Sequence, residues 1–350
     1  MRFTSLIAGL LLTGCAASDL AATDRDVADG SASIWRFDDH VDTIRDLSCP
    51  EGVSYRSAQP LQITAKDIAA EAATSPSAYM SGISIGGAWH LTSDNEEFGG
   101  LSGIAILPSG TLLAVSDDGK FIEIGLDAGT ATPDGTGSLA FLRDTDGQIF
   151  PNKRAADAEG LVVEGGIALV SFEQDHRVHA YDLGQCGAAA HAVEVVKLDK
   201  VVGGNVLRPN GGAEALALAG ESLVAGFEVH QSTGSPYGEV REDGTLSRFE
   251  RTVQPGTYVL TGMDIVGDLT ARVFRAYDPA RGPRAIVRVL KGTEQIAEAR
   301  LKPPLPVDNF EAIVIGQNAN GGTRLWLLSD DNFNRDQRTL LLALDVSQGS

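Results

Sequence analysis

Five times between Leu101 and Asn332 the chain repeats one unit: an apolar strand, a tight turn, and a second apolar strand that ends in polar residues. The segments are LSGIAILPSGTLLAVSDDG, AEGLVVEGGIALVSFEQD, AEALALAGESLVAGFEVH, LTGMDIVGDLTARVFRAY and FEAIVIGQNANGGTRLWLLSDDN. Their equivalent starting positions are Ser102, Glu159, Glu214, Thr261 and Glu311, a spacing of roughly 50 residues. Short apolar runs separated by Gly, Asn and Asp turns at such a period are the pattern of an all-β β-propeller with four-stranded blades. Third and fourth strands are legible after some hairpins, as RVHAYDL then AVEVVKL, and RAIVRVL then QIAEARL. The last repeat ends after a third strand, TLLLALDV, while GAWHLTS (Gly87 to Ser93) precedes the first repeat without a blade of its own. The N-terminal strand is therefore expected to join the last blade and close the ring. Five repeats give five blades, or six if residues 30 to 80 supply another. Each start is followed by a small residue, Gly103, Gly160, Ala215, Gly262 or Ala312, as close approach of inner strands around an axis requires.

Stacking the repeats turns acidic strings into positions. Asp117, Glu173, Glu228 and Asp330 align at the end of the second strand, where the fourth repeat has Arg275. Glu159, Glu214 and Glu311 share the start of the first strand with Ser102 and Thr261. A hairpin returns the chain to the face it left, so both sets should converge on one mouth of the channel. Bare carboxylates crowded there repel one another, which raises their pKa values or demands a cation. Oxygen donors in a flexible array suit Ca²⁺ better than zinc or copper. The plainer alternative is that these acids cap turns and pair with Arg177, Arg275 and Arg338.

The formal net charge of −19 speaks against nucleic acid and anionic lipid as partners. The amino terminus, MRFTSLIAGLLLTGCAAS, carries an apolar run too short to span a bilayer, then Leu12-Thr13-Gly14-Cys15. Those four residues resemble a bacterial lipobox, which implies a signal peptide over 1–14 and lipidation of Cys15. With Ala16 next, the resemblance implies an outer-membrane anchor, periplasmic or surface-facing, as the only membrane contact. Residues 15–50 read as a polar tether and 51–80 as an extension with a short helix within Thr64 to Met80, leaving 81–347 as the propeller domain. Export leaves Cys49 and Cys186 free to form a disulfide or to remain two thiols.

Other chemistries lack support. GGLSG is no nucleophile elbow, because Ser102 lacks the second glycine at the required offset. His176 and His179 lie three apart, which on a strand places them on opposite faces with at least one in solvent. VVGGNVLRPNGG lacks a phosphate-loop ending and reads as a connection whose Asn210 approaches the channel.

The strings FGGLSGIAILPSGTLLAVSDDG, DAEGLVV, NGGAEALAL, DNFEAI and SDDNF followed by QRT resemble the phytase-like family described as having esterase-like activity of phytase, over about Met80 to Val346. The resemblance implies an exported calcium-dependent propeller that hydrolyses phosphate or other esters of a small molecule, as a monomer. Asp117, Glu159, Glu214, Glu311 and Asp330 would be metal ligands, Glu173 or Glu228 a ligand or general base, and Arg177, Arg275 and Arg338 the phosphate-holding cations. Lysines are scarce near these positions, with Lys120, Lys153 and Arg154 the nearest in sequence, so a substrate with one phosphate or none suits the charge best. Alternatives are a gluconolactonase-type metal-dependent lactonase and a non-catalytic ligand-binding propeller with structural calcium.

Overall fold

The computed structural model describes residues 32–73, 80–229, 234–252 and 257–347. The lipobox and Cys15 lie outside the described residues. Five small antiparallel sheets form a ring, a five-bladed β-propeller. The inner strands are Leu101–Ile106, Ala158–Glu164, Ala215–Ala219, Val259–Val266 and Asn309–Gln317. Each touches the next in order, and the last touches the first, which closes the ring. Apolar residues fill the seams between blades. Blades 4 and 5, for example, share Val273, Val287, Phe310, Leu327 and Leu342.

Ring closure follows the expected route. Strand Thr339–Val346 pairs antiparallel with Ile83–Thr92, Leu342 opposite Ala88, so blade 5 takes its fourth strand from the amino-terminal side. The described residues between 51 and 81 build no sixth blade. They add edge strands instead: Gln59–Gln62 on blade 1, Thr64–Asp67 on blade 5 and Met80–Ser81 on blade 4. Of the helix expected within Thr64 to Met80, the described residues show Ala69–Ala73, and it does not begin at Thr64 because Thr64–Asp67 pairs as a strand.

The tether expected over residues 15–50 is corrected in its second half. Phe37–Ser48 is an α-helix whose Phe37, Ile44 and Ser48 are buried. Just before it, Trp35 is fully buried, its N–H donating to the Val240 carbonyl at 2.9 Å and its own carbonyl accepting from Leu223 at 3.2 Å. Trp35, Phe37 and Ile44 pack with Leu169, Val178 and Leu223 of blades 2 and 3. Burying each of these large side chains contributes about 1.5–3 kcal/mol, enough to hold a polar segment against the ring. The helix ends at Cys49, which is joined to Cys186 in a disulfide. In the chain-entropy account a bridge across 137 residues adds about 4–5 kcal/mol.

Candidate functional site

The channel mouth is built by one irregularity used repeatedly. In blade 1 Leu101 pairs with Ser116 and Gly103 with Val115, leaving Ser102 as an extra residue. The same bulge sets out Thr261 in blade 4 and Glu311 in blade 5, and a shift over Ala158 to Leu161 accommodates Glu159 in blade 2. Glu214 directly precedes the inner strand of blade 3. A bulge re-aims a side chain without ending the ladder. The following small residues are needed for closure: a Cβ at Gly103 would lie 2.4 Å from the Glu159 carbonyl oxygen, and one at Gly262 would lie 2.5 Å from that of Glu311.

Both predicted sets converge. Asp117, Glu159, Glu173, Glu214, Glu311 and Asp330 are all buried. Burial raises Glu159 well above the ordinary carboxylate range, reinforced by Glu311, Glu173, Asp157 and Asp117. Glu214 is raised likewise by burial, then by Glu159, Glu228 and Glu173. Burial raises Glu173, against the lowering influence of the neighbouring Glu214 carboxyl and of the Gly212 N–H, which donates to it at 3.0 Å. Asp330 is pushed to about 9 by burial and by Glu311. Asp117 is raised by burial against the pull of Lys153, and its Oδ1 is enclosed with no hydrogen-bond partner.

Two cations answer this charge. Arg275 donates to Glu228 at 2.8 Å and stands 2.7 Å from Glu311, and its pKa rises because these carboxylates outweigh the burial that would lower it. Glu311 stays near 7, raised by burial and lowered by Arg275. Lys153 forms an ion pair with Asp117 and lies 3.8 Å from Asp157. It comes from the turn Lys153–Ala156, capped by the Asn152 side chain, which accepts from the Ala155 N–H.

The other predicted cations differ in placement. Arg338 is half-exposed and shares with Arg275, Glu228, Asn309 and Asp308 a cavity of about 930 Å³. Its backbone N–H donates to Asp308 at 3.1 Å. Arg177 is withdrawn from the mouth: its guanidinium lies 4.2 Å over the Phe172 ring and donates to the Ala155 carbonyl and to His179. It has no reach left for phosphate. His176 and His179 correct the expectation that they lie on opposite faces of one strand with at least one in solvent, since both are buried and only His179 lies on a strand. Asn210 does approach, accepting from Gln174 at 2.6 Å.

Sequence reasoning missed Lys153, Asp157 and Asn309 as members of the mouth. Asn309 bridges Arg275 and Glu311, donating to the latter at 2.8 Å. Its signal was present in DNFEAI, two residues before Glu311. Lys153 lies in the unrepeated connection between blades 1 and 2 and has no counterpart to align, whereas Asp157, two residues before Glu159, occupies the position of Asn309.

The donor set is all hard oxygen with one orphaned buried carboxylate atom, which fits a hard divalent cation in chemistry. In the geometry seen, no three Asp, Glu, His or Cys side chains among the described residues stand close enough together to hold one ion. Lys153 and Arg275 occupy oxygens that a cation would otherwise take.

Residues 96–251 match the phytase-like family. The family model is described as esterase-like activity of phytase, and the phytase-like match spans blades 1 to 3 of this chain. No curated protein matches the chain. Among solved structures, the PQQ-bound aldose sugar dehydrogenase of Streptomyces coelicolor is similar at 15% identity, with 77% of this chain and 99% of that chain covered and a TM-score of 0.43. The Myxococcus xanthus glutaminyl cyclase is similar at 13% identity over 71% of this chain and 92% of its own, with a TM-score of 0.42. A Dyadobacter fermentans protein of unknown function gives 9%, 84%, 97% and 0.41 for the same measures. No functional statement follows from these three likenesses.

Proposed function

We propose that the chain is a calcium-dependent hydrolase of phosphate or other esters of a small molecule, working at the mouth just described. The observation that carries this is a buried, proton-retaining carboxylate ring with an unpartnered Asp117 oxygen, beside a cavity that presents Arg275 and Arg338. The phytase-like match supports the reaction class. Asp117, Glu159, Glu214, Glu311 and Asp330 would hold the cation. When bound, it would neutralise ester oxygens and acidify a coordinated water.

The chain's own residues supply the rest. Arg338 and Arg275 orient the anionic group, and Arg275 also offsets charge developing in the transition state. Glu173, whose affinity for a proton is raised by burial, takes one from the attacking water and hands it to the departing alcohol. The carboxylates around the cavity disfavour heavily phosphorylated substrates, so a monoester fits best. The lipobox-like Cys15 suggests a monomer tethered to the outer membrane.

A second reading, a non-catalytic ligand-binding propeller, is favoured by the ion pairs of Lys153 and Arg275, which quiet Asp117, Glu228 and Glu311 without any metal. Chromogenic phosphate and carboxylate esters decide between them. The enzyme reading expects turnover that chelator abolishes and Ca²⁺ restores, with a loss of about 100-fold or more in Glu214→Gln at an unchanged fold. A folded, calcium-stabilised protein that turns over no ester or lactone would establish the second reading.

A further inference from the structure

We propose that the outer part of blade 4 holds an oxyanion-binding cleft, outside the carboxylate ring and suited to one phosphate group. It stands apart from the hydrolase reading and needs no metal.

Blade 4 arranges its cations by register. In the pairing of Gly282–Lys291 with Glu294–Leu301, Ile286 faces Arg300 and Arg288 faces Glu298, and Arg272 faces Arg288 from the other neighbour. Directly paired residues, and those two apart, share a sheet face. Arg272, Arg284, Arg288 and Arg300 thus line one face, the one that carries Ile286 into contact with Ala215 and Val224 of blade 3. Aromatic rings support the row: Arg272 lies 4.3 Å over Tyr237, Arg284 lies 5.5 Å over Tyr258, and Arg288 lies 5.8 Å over Phe274.

At its upper end the row opens into a cleft of about 740 Å³ lined by Tyr258, Arg281, Arg284, Glu298, Arg300 and Lys302. Its one carboxylate, Glu298, is already shared by Arg288 at 2.9 Å and Arg300 at 2.6 Å. The Arg281 and Arg284 guanidinium groups form no ion pair among the described residues, the Arg281 backbone N–H alone donating to Asp278 at 3.1 Å, and the Arg284 Nε is enclosed without an acceptor. In a chain of net charge −19 this is a local reversal of sign. Like charges held together over aromatic rings, with an unmet buried donor, form a site whose missing component is an anion. Guanidinium forks match phosphate oxygens in pairs, whereas a metal cation would be repelled. The surrounding negative surface disfavours long polyanions, leaving a single phosphate group, either in solution or on a lipid headgroup.

The test is calorimetric titration of the intact chain with inorganic phosphate in excess EDTA, which keeps the carboxylate ring free of calcium. Saturable binding at one equivalent is expected, weakened about tenfold or more by Arg300→Ala and by Arg281→Glu, since these two line this cleft alone whereas Arg284 also borders the channel-mouth cavity. Arg281 is exposed, so the second variant stays informative should the first fail to fold. Vesicles of phosphatidylglycerol and of phosphatidylcholine identify the source. Phosphate-competed binding to the former alone assigns a headgroup, and phosphate binding without vesicle binding assigns a soluble ligand. The proposal is overturned if the folded protein takes up no phosphate, or if affinity survives Arg281→Glu and falls only in Arg338→Ala, which would locate the anion at the channel mouth.

Discussion

Blade 4 and the other four blades share one backbone plan and opposite electrostatics. Blades 1, 2, 3 and 5 bring Asp117, Glu159, Glu173, Glu214, Glu228, Glu311 and Asp330 to the mouth, whereas blade 4 brings Thr261 and Arg275. The bulge that aims Glu311 in blade 5 aims an uncharged Thr261 in blade 4, whose hydroxyl donates to the Phe310 carbonyl at 3.0 Å. The lesson is that the repeat fixes where a side chain points, and the residue at that point is free to follow function. Blade 4 supplies the counter-charge that lets its neighbours concentrate theirs.

Removing that counter-charge should give the largest effect. Arg275→Gln leaves Glu228 and Glu311 facing each other, and an unfolding free energy lower by about 3–5 kcal/mol in EDTA is expected from urea midpoints, with Ca²⁺ recovering part of it. Equivalence of the backbone is tested by Gly103→Ala in blade 1 and Gly262→Ala in blade 4, each expected to cost about 1–3 kcal/mol through the same close contact. Unequal losses would break the claim that only the charge differs.

The pH dependence separates the ring from the rest. Glu311 near 7 and Asp330 near 9 hold protons more tightly folded than unfolded, so their stabilisation is complete below an ordinary carboxylate pKa and disappears as pH rises through those values. Buried His179, lowered to about 3, acts oppositely: its stabilisation is present above 6.5 and lost as pH falls towards 3. Melting temperature in EDTA should therefore decline from mildly acidic pH to 9, and calcium should flatten that decline. The smallest effect concerns Lys153, the counter-charge from outside blade 4. Lys153→Met removes a competitor at Asp117 and should tighten calcium binding about tenfold by titration.

The ring was legible from sequence because period and turn chemistry are local, and stacking repeats converted strings into positions. Arg338 and Arg275 were found this way or by proximity to it. Arg177 was misplaced because sequence shows charge but not the Phe172 ring that receives it. The Phe37–Ser48 helix was read as tether because its apolar residues are few, and their burial depends on partners in blades 2 and 3 far along the chain. The cation row on blade 4 was invisible until register put Arg272, Arg284, Arg288 and Arg300 on one face.

Blade 5 draws three strands from the end of the chain and its fourth from Ile83–Thr92. During synthesis the early strand must wait, unpaired on that side, until Thr339–Val346 emerges. Glu311 and Asp330 sit on that same late blade, so their share of the ring's mutual repulsion is met only at the final docking step. A cation captured there, as proposed, would act as a latch on completion, favouring the closed circle and leaving the separate blades untouched.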